Sequence, residues 1–412
     1  MPFLFLLYIV AYLDRVNVGF AGLQMTRELG FSNTVFGFGG GVFFIGYFLL
    51  EVPGTMMVEV WSARKWISRI MITWGFLASA TGLIHNATEF YWIRFFLGLA
   101  EAGFFPGLVV YLSHWYRPED RGRAIALFMA AIPASQLMGA PVSALLLQVH
   151  WLGLGGWRWL LLLEGIPAVI LGIATLYYLT DKPADAAWLP SDEKQWLVAE
   201  LDREKEIRGP HIPLWKALCH RDVLILAAIS FFGLTPNYGL GLWLPKMVQR
   251  LSTFGVSEVS MVAAIPYLLS IPVMLLVGRS SDRTGERRWH TAIPRLVSGF
   301  ALTAAYFAGG NVWLNVAMLS LATIGFYSAH PGFWPLPNTL LSRTAAAASI
   351  GLINSFGNLG GFVGPYLIGF LSNQSGGFGP ALLAMALSAY ASGLLAIAVR
   401  HRRPRPAPAK LP

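Results

Sequence analysis

Ionisable side chains at Asp14, Arg15, Glu51, Arg94, Glu101 and Glu164 lie inside stretches that are otherwise apolar. Charge in such surroundings is costly, so each one is by default a candidate for chemistry. Asp14 and Arg15 are neighbours, and neighbours on a helix point about 100° apart. They cannot serve one target. Tyr12 shares the face of Arg15 and Asn17 shares that of Asp14. Tyr12 and Arg15 are therefore expected to face a cavity, where a guanidinium fork suits a carboxylate, and Asp14 to face a neighbouring helix. The bland alternative is an Asp–Arg pairing that only neutralises two buried charges, which contributes little stability. Arg94 and Glu101 are seven residues apart, on one stripe and roughly 10 Å apart along a helix. Burial favours the protonated carboxyl and a nearby guanidinium the ionised one, so moving the cation would switch proton affinity at Glu101. Arg94 could instead be a packing salt bridge. Glu51 and Glu164 are expected to satisfy helix contacts.

Neutral polar groups complete the set. Asn354 and Asn358 are four apart on one helix face, and Tyr327, His330 and Trp334 form an i, i+3, i+7 stripe. Pro331, Pro335 and Pro337 should break the helix carrying that stripe, which is tolerable only where backbone lines a cavity or is buried in protein. Phe231 to Lys246 holds no Arg, so the second half is expected to offer no permanent cation opposite Arg15. It offers Asn237, Tyr238, Trp243, His330, Trp334, Asn354 and Asn358, a set suited to hydroxyl groups or a ring. The expected ligand is a small organic acid with one principal carboxylate contact, aromatic or hydroxylated rather than a long dicarboxylate. His330, when charged, would add a second anion contact.

What must position these residues is a membrane bundle. Of 412 residues, 55% are hydrophobic and 12% charged, and the mean hydropathy is +0.56. A soluble chain carries about a quarter charged residues. Apolar runs of about 20 residues, enough to cross a bilayer, occur at 3–24, 34–58, 66–84, 90–113, 122–148, 157–180, 222–245, 258–278, 291–309, 311–341, 346–371 and 378–399. The reading is an all-α membrane protein of twelve transmembrane helices in two six-helix halves. Residues 1–180 form the first half and 181–221 a cytoplasmic central loop. Residues 222–400 form the second half, and 401–412 a basic cytoplasmic tail. Charged residues follow the first run where a cleavage site would need small ones, so that run is expected to be a retained helix.

With the N-terminus inside, 24 of the 30 Lys and Arg fall in cytoplasmic segments. Arg27, Arg158, Lys246 and Arg250 fall outside, and Arg15 and Arg94 within the membrane. This positive-inside bias accounts for the net charge of +9 without nucleic acid and places both termini in the cytoplasm. An internal repeat supports the halves: Glu59, Ser62, Arg64, Lys65 and Trp66 recur 223 residues later as Asp282, Gly285, Arg287, Arg288 and Trp289. Repeated halves are an architecture of secondary transporters, with the substrate at the interface between them.

The stretch from Gly278 through Asp282, Arg283, Gly285, Arg287 and Arg288 resembles the loop motif of the major facilitator superfamily. Tyr12-Leu-Asp14-Arg15-Val-Asn17, Arg94 to Gly103 with Glu101, and Gly351 to Gly361 with Asn354 and Asn358 look like its anion:cation symporter branch, whose permeases carry tartrate, sugar acids, phthalate and related acids. The first-half loop departs from the motif, with Glu59 for the acidic residue, Val60 for a basic one and Ser62 for the glycine. The resemblance implies proton-coupled symport of a small organic anion by alternating access, in a monomer in the inner or plasma membrane. It implies substrate contacts at Tyr47 and Gln136 beside Arg15, Tyr12, His330, Trp334, Asn354 and Asn358, and proton coupling at Asp14, Glu101 and Arg94. It also implies cytoplasmic gating by Glu59, Arg64, Asp282, Arg283 and Arg287 through interhelical charge pairs. No ATP-binding, nucleophile-elbow or metal-ligand spacing is present, so no cofactor is expected and coupling falls to an ion gradient. An enzyme would need a catalytic cluster, and only His114 near Glu119 and Asp120 resembles one. A channel would need a ring of like ligands, which two unlike halves do not supply.

Overall fold

A computed structural model describes residues 1–129, 131–207, 220–340 and 343–399. Cys219 and the basic tail from 401 lie outside the described residues, as does part of the central loop. Helices and short 3-10 turns are the only regular elements among the described residues. Eight helices are long and apolar enough to cross a membrane, and four further segments complete twelve crossings.

The first three spans are Pro2–Glu28, Asn33–Val60 and Ala63–Thr81. The fourth is broken into Ala87–Glu101 and Phe104–Ser113, and the fifth runs as Pro118–Met129 and Ala131–Leu146. Gly156–Tyr178 is the sixth. After the loop helix Ser191–Ile207 come Arg221–Leu251, Val256–Thr284 and Arg288–Phe307 as spans seven to nine. The tenth is broken into Val312–Ser328, His330–Phe333 and Leu336–Leu340. Arg343–Ser375 and Gly379–Ala398 are the eleventh and twelfth. Several helices outrun the apolar stretches that announce them, because a hydrogen-bonded ladder does not stop where hydrocarbon does. Polar caps set several starts: Ser32 accepts from the Val35 amide at 3.2 Å, Asn86 from Glu89 at 3.0 Å and Asn311 from Leu314 at 3.0 Å. Each replaces an amide partner that the first turn lacks.

Two breaks matter for the site. The fourth span ends its first segment at Glu101, and Gly103 then adopts φ 82°. That left-handed conformation favours glycine, and a Cβ there would press on the Gly54 backbone of the second span. In the tenth span the proline cluster interrupts the ladder just after Tyr327, as expected from sequence.

The end of the bundle where the chain starts is called the terminal end here, and its opposite the far end. The halves are held together at the far end. Lys246 Nζ donates to Thr26 Oγ1 at 3.0 Å, Gln148 Nε2 to Ser257 Oγ at 2.5 Å and Asn33 Nδ2 to Ser372 Oγ at 3.2 Å. Phe36 and Trp243 meet edge to face, 5.2 Å between centroids. Gly37 and Gly41 of the second span lie directly on the eleventh-span backbone at Pro365 and Phe362. One more bridge lies nearer the terminal end, where Asn354 Nδ2 donates to Glu51 Oε1 at 2.5 Å.

Candidate functional site

A cavity lies between the halves, with about 1080 Å³ of empty space counting its open mouth. Tyr12, Arg15, Tyr47, Arg94 and Gln136 line it from the first half. Asn237, Tyr238, Tyr327, His330, Trp334, Asn354 and Asn358 line it from the second. All eight residues expected from sequence to contact a substrate are thus brought to one wall or the other. Among the described residues two guanidinium groups line the cavity and no carboxylate does.

Arg15 is placed by its helix phase and held by aromatic rings. Its Cζ lies 5.0 Å from the Tyr12 ring centroid, 5.1 Å from Tyr47 and 5.6 Å from Phe43. Arg94 Cζ lies 4.9 Å from the centroid of the same Phe43 ring. Each such contact contributes about 0.5–2 kcal/mol, more where water is excluded. Glu101, at the end of the broken fourth-span helix, accepts from Arg15 Nε at 2.8 Å, and the Arg15 terminal nitrogen lies 2.5 Å from the same oxygen. Arg15 therefore has an internal anion that a substrate carboxylate could replace. Glu101 itself is 1% exposed and does not reach the cavity surface.

Asp14 turns away from the cavity, as helix geometry requires. It accepts a hydrogen bond from Trp74 Nε1 on the third span. Glu164 of the sixth span lies beside Asp14 and Asn17, deeply buried. Several polar atoms on cavity-lining residues also lack partners: Gln136 Oε1, Arg94 Nε, His330 Nδ1 and Trp334 Nε1. Buried polar groups are normally paired, and these four belong to both halves.

One expectation needs correction. Trp243 does not line the cavity. It is fully buried in the far-end seam, donating to Pro365 O at 3.0 Å, because its helix turns that face toward Phe36. Among the described residues the second-half wall carries no permanent cation, as expected, but a buried guanidinium lies behind it. Arg295 in the ninth span is 1% exposed. That span begins at Arg288, so Arg295, inside the apolar run 291–309, sits about two turns into the helix. Glu51 satisfies a helix contact as expected, and its partner Asn354 is on the other half.

The gating residues show different contacts from those expected. Asp282 pairs with Arg287 of its own loop at 2.7 Å. Glu59 pairs with His114 at 3.3 Å. Arg64 donates its backbone amide to Asp181 at 2.7 Å and a guanidinium nitrogen to Leu176 O at 3.3 Å. These bonds stay within each half, and Glu59 is engaged by further groups besides. The His114 cluster is accordingly loop packing, with Asp120 paired to Arg117 at 2.7 Å.

Comparison with known proteins agrees with this architecture. Residues 4–365 match the Major Facilitator Superfamily. An Agrobacterium vitis protein provisionally named a tartrate transporter is 43% identical over 408 residues, covering 98% of this chain and 93% of the relative. The Escherichia coli inner membrane transport protein RhmT is 35% identical, covering 98% and 94%. The crystal structure of a D-xylose–proton symporter superposes with a TM-score of 0.74 at 15% identity, covering 96% of this chain and 94% of that one. With twelve crossings, two packed halves and a cavity between them, this chain belongs to the major facilitator superfamily and is a transporter, not an enzyme.

Proposed function

We propose that the protein is a proton-coupled symporter that takes up a small organic anion by alternating access. The observation that carries the reading is the cavity wall, which presents Arg15 and Arg94 and, among the described residues, no carboxylate. Such a wall attracts anions and repels cations. The Arg15–Glu101 pair supplies a coupling device. When a substrate carboxylate takes the Arg15 fork, Glu101 loses its counter-ion in a low-dielectric site and gains a proton. Asp14, buried one residue away on the other face, is read as the second proton site. Tyr12, Tyr47, Gln136, His330, Trp334, Asn354 and Asn358 shape and orient the ligand.

The basic bias of the loops supports assigning the terminal end to the cytoplasm, and the name of the Escherichia coli relative supports an inner-membrane location. The seal at the far end then makes this the conformation open toward the cytoplasm. The names of the relatives support an organic-acid substrate. The test is uptake into vesicles holding only this protein, at an imposed pH gradient and no sodium. Accumulation of a labelled organic acid that collapses with a protonophore is expected. Accumulation that needs sodium and ignores the pH gradient would overturn proton coupling.

A further inference from the structure

A buried guanidinium stands behind the second-half wall of the cavity. Arg295 lies seven residues into the ninth span, about 10 Å along its axis, and is 1% exposed. One terminal nitrogen donates to Gly233 O at 3.0 Å, its Nε has no partner, and its Cζ lies 5.9 Å from the Phe326 ring. Among the described residues no acidic group is found to offset it. Its contacts place it one layer from the cavity. Gly233 precedes Leu234, Phe326 precedes Tyr327, and the short helix His330–Phe333 packs on the ninth span, with Gly332 against His290 and Thr291. Leu234, Tyr327 and His330 are all lining residues.

An unpaired buried cation costs several kcal/mol, and an apolar residue of similar volume would be neutral or better for stability. The fold nevertheless makes room for it. A Cβ at Gly233 would come within 2.6 Å of the Arg295 Cζ, so the guanidinium occupies space that only glycine leaves open. Arginine stays protonated in proteins, so the charge of this wall belongs to Arg295. His330 contributes a hydrogen-bonding edge, and its Nδ1 and the nearby Trp334 Nε1 are both without partners.

We propose that Arg295 and His330 form a second anion subsite, across the cavity from Arg15, and that the transported acid carries two separated anionic groups. The ligand class is a small dicarboxylate. His330 touches the distal carboxylate, and Arg295, as a positioning residue, supplies the field behind it. This inference rests on reading Arg15 as the first carboxylate contact, and it replaces the single-carboxylate expectation drawn from the sequence.

The experiment is equilibrium binding to the purified protein of succinate, malate and tartrate, each against its own monomethyl ester. The ester removes one charge at nearly constant shape. Wild-type protein is expected to prefer at least one diacid to its ester by about 10–100-fold, the range of a charge-assisted hydrogen bond. Arg295→Met, which removes a buried charge and should fold at least as well, is expected to reduce that ratio to within about threefold of unity while ester affinity is kept. Arg295→Lys retains the charge and most of the ratio. Arg15→Lys instead weakens acid and ester together. The proposal is overturned by equal binding of acid and ester, by a ratio unchanged in Arg295→Met, or by failure of all three diacids to bind. Unchanged affinity for both ligands in Arg15→Lys would instead remove the reading on which the proposal rests.

Discussion

At the scale of single residues, Arg15 carries most of the specificity argument. Its fork is shared between Glu101 at 2.5 Å and three aromatic rings. A lysine keeps the charge but loses the planar, two-point fork. Arg15→Lys should weaken carboxylate binding by at least about tenfold, a difference of about 1.4 kcal/mol, measured by calorimetry in detergent. Retained affinity would mean that Arg94 or another group is the main contact. The carboxylates make a separate prediction. Glu101→Gln and Asp14→Asn mimic the protonated forms, so each should abolish pH-driven accumulation while sparing counterflow exchange. A variant that still concentrates substrate against its gradient would show that its residue is no essential proton carrier. Tyr12, Arg15, Asn354 and Asn358 were legible in the sequence because helix phase alone puts them on one face. Arg295 was not. It lies inside the apolar run 291–309, but its nearness to the edge of that run groups it with the loop cations until packing shows its side chain buried against Gly233. The cross-half partner of Glu51 was likewise hidden, since no local pattern says which helix face meets the other half.

At the scale of elements, the breaks were more legible than the seams. Three prolines within seven residues announce the interruption after Tyr327. The break at Gly103 needs the structure, because a glycine with φ 82° is indistinguishable in sequence from one that only lets helices pack closely. Small-residue spacing does point to close approach. The structure adds which helices approach: Gly37 and Gly41 set the second span on the eleventh, and Gly19 sets the first on the seventh. A Cβ at Gly37 would lie 2.5 Å from Pro365 O, a backbone atom that cannot step aside. Gly37→Val should therefore prop the far end open. With Cys219 replaced by serine, a reporter Thr26→Cys should label faster from the far side in the Gly37→Val background. Thr26 is a fitting site because it is 9% exposed while it accepts the Lys246 hydrogen bond. Labelling at the parent rate would show that this seam does not govern closure.

At the scale of the whole molecule, the two halves exchange one sealed end for the other. The far-end seal consists of hydrogen bonds among Lys246, Thr26, Gln148, Ser257, Asn33 and Ser372 around the Phe36–Trp243 contact. None of these is an ion pair, and net hydrogen bonds contribute about 0.5–1.5 kcal/mol each. The seal can therefore be broken by modest differential binding. At the terminal end the repeated loops hold the charges. Here Asp282 binds Arg287 locally at 2.7 Å with its side chain 74% exposed, an arrangement worth at most about 1 kcal/mol. If Asp282 and its repeat mate Glu59 clamp the terminal end in the opposite state, their charges stabilise that state more than this one. Asp282→Asn should then shift the population toward the conformation described here by about 1–3 kcal/mol. Ser372, 1% exposed beneath the Asn33 contact, gives a reporter remote from the substitution. In a Cys219→Ser, Ser372→Cys background, Asp282→Asn should slow labelling from the far side several-fold, because that side opens less often. An unchanged labelling rate would mean that the charged loops do not hold the terminal gate, and that the states are balanced by the helix seams alone.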